Sequence, residues 1–181
     1  MIKIFLSNFK KDFVLYKSYS SNKFFDCDEI SFKFLGAFFL FLKSSGFRLN
    51  VFLRFSLLFS KIPILKSLLQ ILINFFYSSD INLNAYYGPG IIFQHPFGIV
   101  IGQNVKILGE VVIFNNITIG KKYPGKIGKM PEIGKKNIIC SGSRILGSIK
   151  TGENCVISSN SVLTENLSSN CTYFSKDKIK N

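Results

Sequence analysis

A six-residue rhythm in the second half of the chain restricts what it can become. Stepping by six from Ile81 meets Tyr87, Phe93, Ile99, Val105, Val111 and Ile117. The frame breaks over residues 120–132, then resumes at Ile133, Ile139, Ile145, Thr151, Ile157 and Leu163. Ten of the thirteen positions are Ile, Val or Leu and two more are aromatic, too many for turns that merely recur at intervals. Small residues often follow one place later, at Gly88, Gly134, Gly152 and Ser158. A period of six matches neither the 3.6 of a helix nor the 2 of an ordinary strand. It predicts a hexapeptide solenoid, with one short strand per hexad and three per triangular coil. Each coil buries its aliphatic residue inward and depends on its neighbours for stability.

Composition divides the chain at Asp80. Sixteen of the twenty Phe lie before it and twelve of the fourteen Gly after it. Residues 1–79 are therefore expected to form a Phe-rich, basic, helical N-terminal region, 80–168 the solenoid with a loop at 120–132, and 169–181 a C-terminal tail. Between Ile30 and Ser79 there is no acidic residue, whereas Lys33, Lys43, Arg48, Arg54, Lys61 and Lys66 are basic. Breakers at Gly46 and Pro63 divide that stretch into about three helices. In the last, Lys66, Gln70 and Asn74 share one face, apart from Leu65, Leu68, Leu69 and Leu72.

The net charge of +13 suggests anionic partners. No nucleic-acid module is present, which argues against DNA or RNA. The longest apolar run, Phe34 to Leu42, is shorter than the ~20 residues of a bilayer span. Two roles for the helices stay open: capping the solenoid and meeting neighbouring subunits, or also lying peripherally on an anionic inner-membrane surface. Cys27, Cys140, Cys155 and Cys171 lack CxxC spacing, so idle thiols in a reducing cytoplasm are expected rather than a metal site or disulfide framework. The first residues lack a small-residue cleavage site and do not read as a signal peptide, so a cytoplasmic location is expected.

The only histidine, His95, lies in Asp80–Gly102, DINLNAYYGPGIIFQHPFGIVIG. A hydroxyl is a poor nucleophile at neutral pH, and a positioned imidazole is the side chain suited to take its proton, for about 10²–10⁴ in rate. A carboxylate would fix its tautomer and stabilise the imidazolium. Asp80 precedes His95 by nearly one turn of three hexads, a spacing that would set the two on adjacent coils.

Asp80-Ile81, HPFGIVIG, the ITIG at 117–120, the PEIG at 131–134 and SRILGSIKTGENCVISSNSVL together make residues 80–167 resemble the left-handed β-helix of serine acetyltransferases and related hexapeptide acyltransferases. The resemblance implies a homotrimer with acetyl-CoA in intersubunit grooves, no metal, His95 as catalytic base and Asp80 as its partner. It places Gly120 beside the pantetheine arm, Lys121 and Lys122 near the CoA phosphates, and Ser141 and Ser159 on small groove-lining positions. Lys126, Lys135, Lys136 and Lys150 are further, weaker basic candidates. The chain departs from those relatives where they hold an amino acid: Gln94 stands for an acidic residue, Gln103 for a glutamate, and Lys129-Met130 for an Arg-His pair. Amide side chains suit neutral hydroxyl arrays. These departures shift the resemblance toward acetyltransferases of bacterial capsule, exopolysaccharide or lipopolysaccharide sugars, with Gln94, Gln103 and Lys129 facing a saccharide acceptor. The alternatives are a serine acetyltransferase with a rebuilt acceptor site and a non-catalytic trimeric scaffold.

Overall fold

The computed structural model describes residues 2–20, 34–59, 61–123 and 128–175. Four helices come first: α1 (Ile2–Ser20), α2 (Phe34–Lys43), α3 (Ser45–Leu58) and α4 (Pro63–Tyr77). Strands of two or three residues follow: β1 (Asp80–Ile81), β2 (Tyr86–Tyr87), β3 (Ile91–Phe93), β4 (Val100–Ile101), β5 (Lys106–Ile107), β6 (Val111–Ile113), β7 (Thr118–Gly120), β8 (Glu132–Ile133), β9 (Ile138–Ile139), β10 (Arg144–Leu146), β11 (Val156–Ile157), β12 (Val162–Leu163) and β13 (Thr172–Tyr173). They make three parallel sheets, ordered β1-β4-β7-β10-β12, β2-β5-β8 and β3-β6-β9-β11-β13. Each chain turn visits all three, which is a triangular β-helix. The coil continues past residue 168, because β13 pairs with β11.

The registers give the interior its columns. Ile81, Ile101, Ile119, Ile145 and Leu163 stack along one side, and Phe93, Ile113, Ile139, Ile157 and Tyr173 along another. Most are fully buried, each contributing about 1.5–3 kcal/mol of apolar burial. The unbroken six-step from Phe93 to Ile99 is not what the registers follow. Eight residues, not six, carry the chain from Phe93 to Ile101, whereas six carry it from Ile113 to Ile119, Ile139 to Ile145 and Ile157 to Leu163. Two residues are inserted at one corner, and His95 is in that corner. Ile99, Val105, Val111 and Ile117 are still buried, because residues two before each column also point inward.

Helix α4 plugs the first coil with Leu69, Ile73 and Tyr77, in one apolar cluster with Ile81, Leu83 and Ala85. Its start is set by Pro63 at the first turn and its end by Ser78 in a left-handed conformation. Ser44 caps α3 by accepting from Phe47 N, so the chain breaks there and Gly46 lies inside the helix rather than ending one. Gly46 is required by packing: a Cβ would sit 1.8 Å from Phe93 O. Helices α1 and α3 dock against β3, where Phe13, Tyr16, Phe47 and Val51 cover Ile92 and Val112.

A solenoid end exposes unpaired strand groups. Here side chains satisfy them. Asp12 Oδ1 accepts from Gly90 N at 2.8 Å and Ile91 N at 3.2 Å. Asn50 Nδ2 donates to Ile91 O, and Tyr16 Oη accepts from Phe93 N at 2.8 Å. Arg54, 1 % exposed, donates to Asp12 at 2.7 and 3.0 Å and to the carbonyls of Tyr87 and Gly88, each at 2.6 Å. Arg54 is thus not part of a basic surface. Among the described residues no helix is long and apolar enough to cross a membrane.

Candidate active site at the inserted corner

The inserted corner is built from the preceding coil upward. Ser79 Oγ lies 2.8 Å from Tyr77 O and 3.3 Å from Pro96 O, and accepts from Ile99 N at 3.0 Å. Phe97 N donates to His95 O at 2.7 Å, closing a tight turn. His95 takes φ 55°, a left-handed conformation uncommon for histidine. Other left-handed residues at corners are mostly Asn or Gly, including Gly98, Asn116, Gly142 and Asn160 in this corner column. Gly98 and Gly142 lie so close to Asn116 and Asn160 that a Cβ would fall 2.3 and 2.1 Å from the amide oxygens above. The column is therefore filled at each later coil, whereas the extra residues at 95–97 project His95 outward, where it is exposed.

The imidazole Nε2 lies 3.1 Å from the Gln94 amide nitrogen. That amide nitrogen only donates, so Nε2 accepts and Nδ1 carries the proton in the neutral ring. Asp80 stands on the coil below, at the start of β1, joined to the His95 turn through its neighbour Ser79. No hydrogen bond or ion pair links the Asp80 carboxylate to the imidazole. The two groups stand on adjacent coils without the contact that a carboxylate partner would make. The first coil is 20 residues long between the paired positions Asp80 and Val100. Tyr87 feels Asp80: burial first, and then the carboxylate, push its phenol well above the ordinary range.

His95 opens into a cleft of about 510 Å³ between the coil and the helices. Lys17, Tyr19, Phe39 and Lys43 line it together with Gln94 and His95, and among the described residues no carboxylate does. Tyr16 Oη, fixed on β3, forms part of its floor, and burial raises its phenol well above the ordinary range. Sequence reasoning missed Ser79, Tyr16, Lys17 and Lys43, since nothing local marks helix residues that meet a coil corner.

The remaining expected site residues divide between two corners. Gly120, Lys121 and Gln103 line one cavity of about 530 Å³, and Lys121, Lys122 and Lys129 another of about 300 Å³ against Leu146 and Gly147. Both flank the 120–132 loop, of which 124–127 lie outside the described residues, Lys126 among them. A Cβ on Gly120 would meet nothing within 4 Å, so packing within the chain does not call for glycine there. Ser141 and Ser159 fall on the His95 corner column instead, and Ser141 Oγ donates to Asn115 Oδ1 at 2.8 Å. Lys150 pairs with Glu132 at 3.4 Å, while Lys135 and Lys136 are exposed at a turn of the next coil. Cys140, Cys155 and Cys171 are free thiols, Cys27 lies outside the described residues, and no group of three metal-ligating residues occurs among the described ones.

No protein-family profile matches the chain. It is 35% identical over 98 residues to a serine acetyltransferase of Staphylococcus epidermidis, covering 54% of this chain and 46% of that protein. It is 36% identical over 105 residues to one from Buchnera aphidicola, covering 57% and 40%. The matched part is thus less than half the length of these curated relatives. In fold, it superposes on Neisseria gonorrhoeae serine acetyltransferase with TM-score 0.77 at 22% identity, over 96% of this chain and 66% of that one. The soybean enzyme complexed with serine gives 0.76 at 26% identity, over 94% and 66%. The described residues therefore form four helices followed by a left-handed β-helix, the arrangement of these serine acetyltransferase structures, and the sequence resembles hexapeptide-repeat acyltransferases. The relatives carry the name serine acetyltransferase and none of them names a saccharide acceptor, so the expected capsule or polysaccharide assignment draws no support from them.

Proposed function

We propose that this chain is a hexapeptide-repeat acyltransferase that moves an acetyl group from acetyl-CoA to a hydroxyl, with His95 as general base. The observation that carries the reading is the two-residue insertion that pushes the single imidazole out of the stack into a cleft. In the neutral ring the Nε2 lone pair accepts from the Gln94 amide. A hydroxyl that replaces the Gln94 N–H at Nε2 gives its proton to the ring as its oxygen attacks the thioester carbonyl. The carbon–sulfur bond then breaks, and the imidazolium returns the proton to the departing thiolate. Asp80, one coil below, is the carboxylate nearest in the chain's stacking to answer the positive charge that forms on the ring.

Acetyl-CoA suits the corner at 120–132. Lys121, Lys122 and Lys129 would hold its phosphates, and the open backbone at Gly120 admits a narrow pantetheine chain. In this reading three copies assemble side by side and Ser141 and Ser159 face the groove between them.

Serine is the acceptor named by the relatives, and it is the first reading here. A second reading, a saccharide hydroxyl, is favoured by one observation: an α-amino acid brings an ammonium group, yet among the described residues the cleft beside His95 is lined by Lys17, Lys43 and Gln94 and by no carboxylate. Release of CoA thiol from acetyl-CoA, followed with L-serine and separately with neutral and sialylated oligosaccharides, tests both. Release with serine that His95→Ala abolishes supports the first reading. Release only with glycans, with an acetyl mass gain on the sugar, supports the second. Acetyl-CoA that neither binds nor is consumed refutes the transferase.

A further inference from the structure

Helix α4 is amphipathic in an inverted sense. Leu69, Ile73 and Tyr77, spaced by four, are buried in the solenoid end. The opposite side is not polar: Ile64, Leu68, Ile71 and Phe75 form a stripe along the helix, with Ile64 76 %, Ile71 61 % and Phe75 79 % exposed. Lys66, Gln70 and Asn74 are confined to one flank, Lys66 reaching Asn84 and Gln70 donating to Asn74 at 2.9 Å. Leu68 and Leu72, which the sequence sets apart from that polar flank, are exposed as well. Because the buried side closes the first coil, the apolar stripe faces away from the coil stack, with the helix lying flat across its end.

The described helices carry mainly positive charge, and the exposed carboxylate nearest to the stripe along the chain is Asp80, just past the end of α4. Among the described residues of the helical region, Asp12 is the only carboxylate, and it is buried against Arg54. Lys3, Lys11, Lys43 and Lys61 are exposed, among the described residues of the helices no exposed carboxylate opposes them, and Lys61 immediately precedes α4. A flat helix with a bulky apolar outer side in a cationic surround has the composition of an interfacial helix. A second copy of the chain would answer the stripe but set cations against cations. An anionic bilayer answers both, since its headgroups attract the lysines while its acyl boundary takes the side chains.

We propose that the outer side of α4 docks on an anionic membrane surface, holding the solenoid end-on with its cleft near the lipid. This inference does not depend on the acetyl-transfer reading. The test is sedimentation of the full chain with vesicles of phosphatidylcholine containing about one third phosphatidylglycerol, against phosphatidylcholine alone, at low and high salt. The expected result is pelleting with the anionic vesicles that weakens with salt. Ile71→Glu with Phe75→Glu should reduce that binding at least about tenfold, with an unchanged melting curve because both side chains are exposed. Lys61→Glu, outside the helix, should weaken the anionic preference while leaving the stripe intact. The proposal is overturned by no pelleting, by pelleting that neither change affects, or by vesicle-free self-association of the unaltered chain that Ile71→Glu with Phe75→Glu abolishes.

Discussion

Replacing Arg54 by Met tests how the helices are held to the coil. Met retains the aliphatic stem and removes four donated hydrogen bonds, two to Asp12 and two to the carbonyls of Tyr87 and Gly88. Two buried carbonyls lose their side-chain donor, at about 1–3 kcal/mol each where no other partner remains. Asp12 keeps only the amide donors of Gly90 and Ile91. Breaking a buried ion pair from one side costs about 3–5 kcal/mol, so a loss near 4 kcal/mol is expected, a large part of a domain's stability. Burial already pushes the Asp12 carboxyl up, against the pull of Arg54, and without Arg54 it rises further. A carboxyl raised in the folded state binds its proton more tightly there than when unfolded. The penalty therefore grows as pH rises above the ordinary carboxylate range and shrinks as pH falls toward it. Urea unfolding at pH 5 and pH 8 should show the smaller loss at pH 5, and adding Asp12→Asn should recover about half of it. A loss under about 1 kcal/mol, or a further loss on adding Asp12→Asn, would refute the claim that this pair anchors the helices.

Other perturbations probe the site and the core. His95→Ala should lower kcat by about 10²–10⁴ in thiol-release assays without changing the melting temperature, since the ring is exposed. Asp80→Asn should cost about tenfold, less than the loss of the base, because the carboxylate is adjacent to the imidazole but not bonded to it; an unchanged rate would remove Asp80 from the chemistry. Lys121→Ala with Lys122→Ala should raise the KM for acetyl-CoA about fivefold and leave kcat unaltered, as expected for exposed charges that hold phosphates. Buried Tyr16 and Tyr87 have phenols raised above their unfolded values, so stability should hold up to about pH 10 and fall above it, as the unfolded phenols ionise first; melting curves from pH 8 to 11 would show it.

The sequence was most legible where structure repeats. The hexad fixed the strands because every coil asks the same thing of an inward side chain, and Ile119, Ile133, Ile139 and Ile145 answer it alike. Length was harder to place. A run of Ile at 99, 101, 113, 117 and 119 satisfies two frames at once, so the slip after Phe93 is invisible without the pairing of Phe93 with Ile113. The helices were legible in number and roughly in extent, but their partners were not. Asp12 and Arg54 are 42 residues apart, and only tertiary contact explains why a lone acid belongs in α1. Nor does the pattern of α4 say which of its two apolar sides turns inward. His95 stood out as a chemical type, while the lysines that face it from α1 and α2 did not.

The corner that carries His95 also says how such a molecule can change its trade. Extra residues there bulge sideways and leave the rungs above and below in step, as the six-residue spacing from Ile113 to Ile119 shows. A ladder of this kind can be lengthened or trimmed at one bend without disturbing the others. Under the proposed acyl transfer, new acceptors can then be reached by editing a few positions on the rim, while the frame that keeps the ring at its height stays as it is.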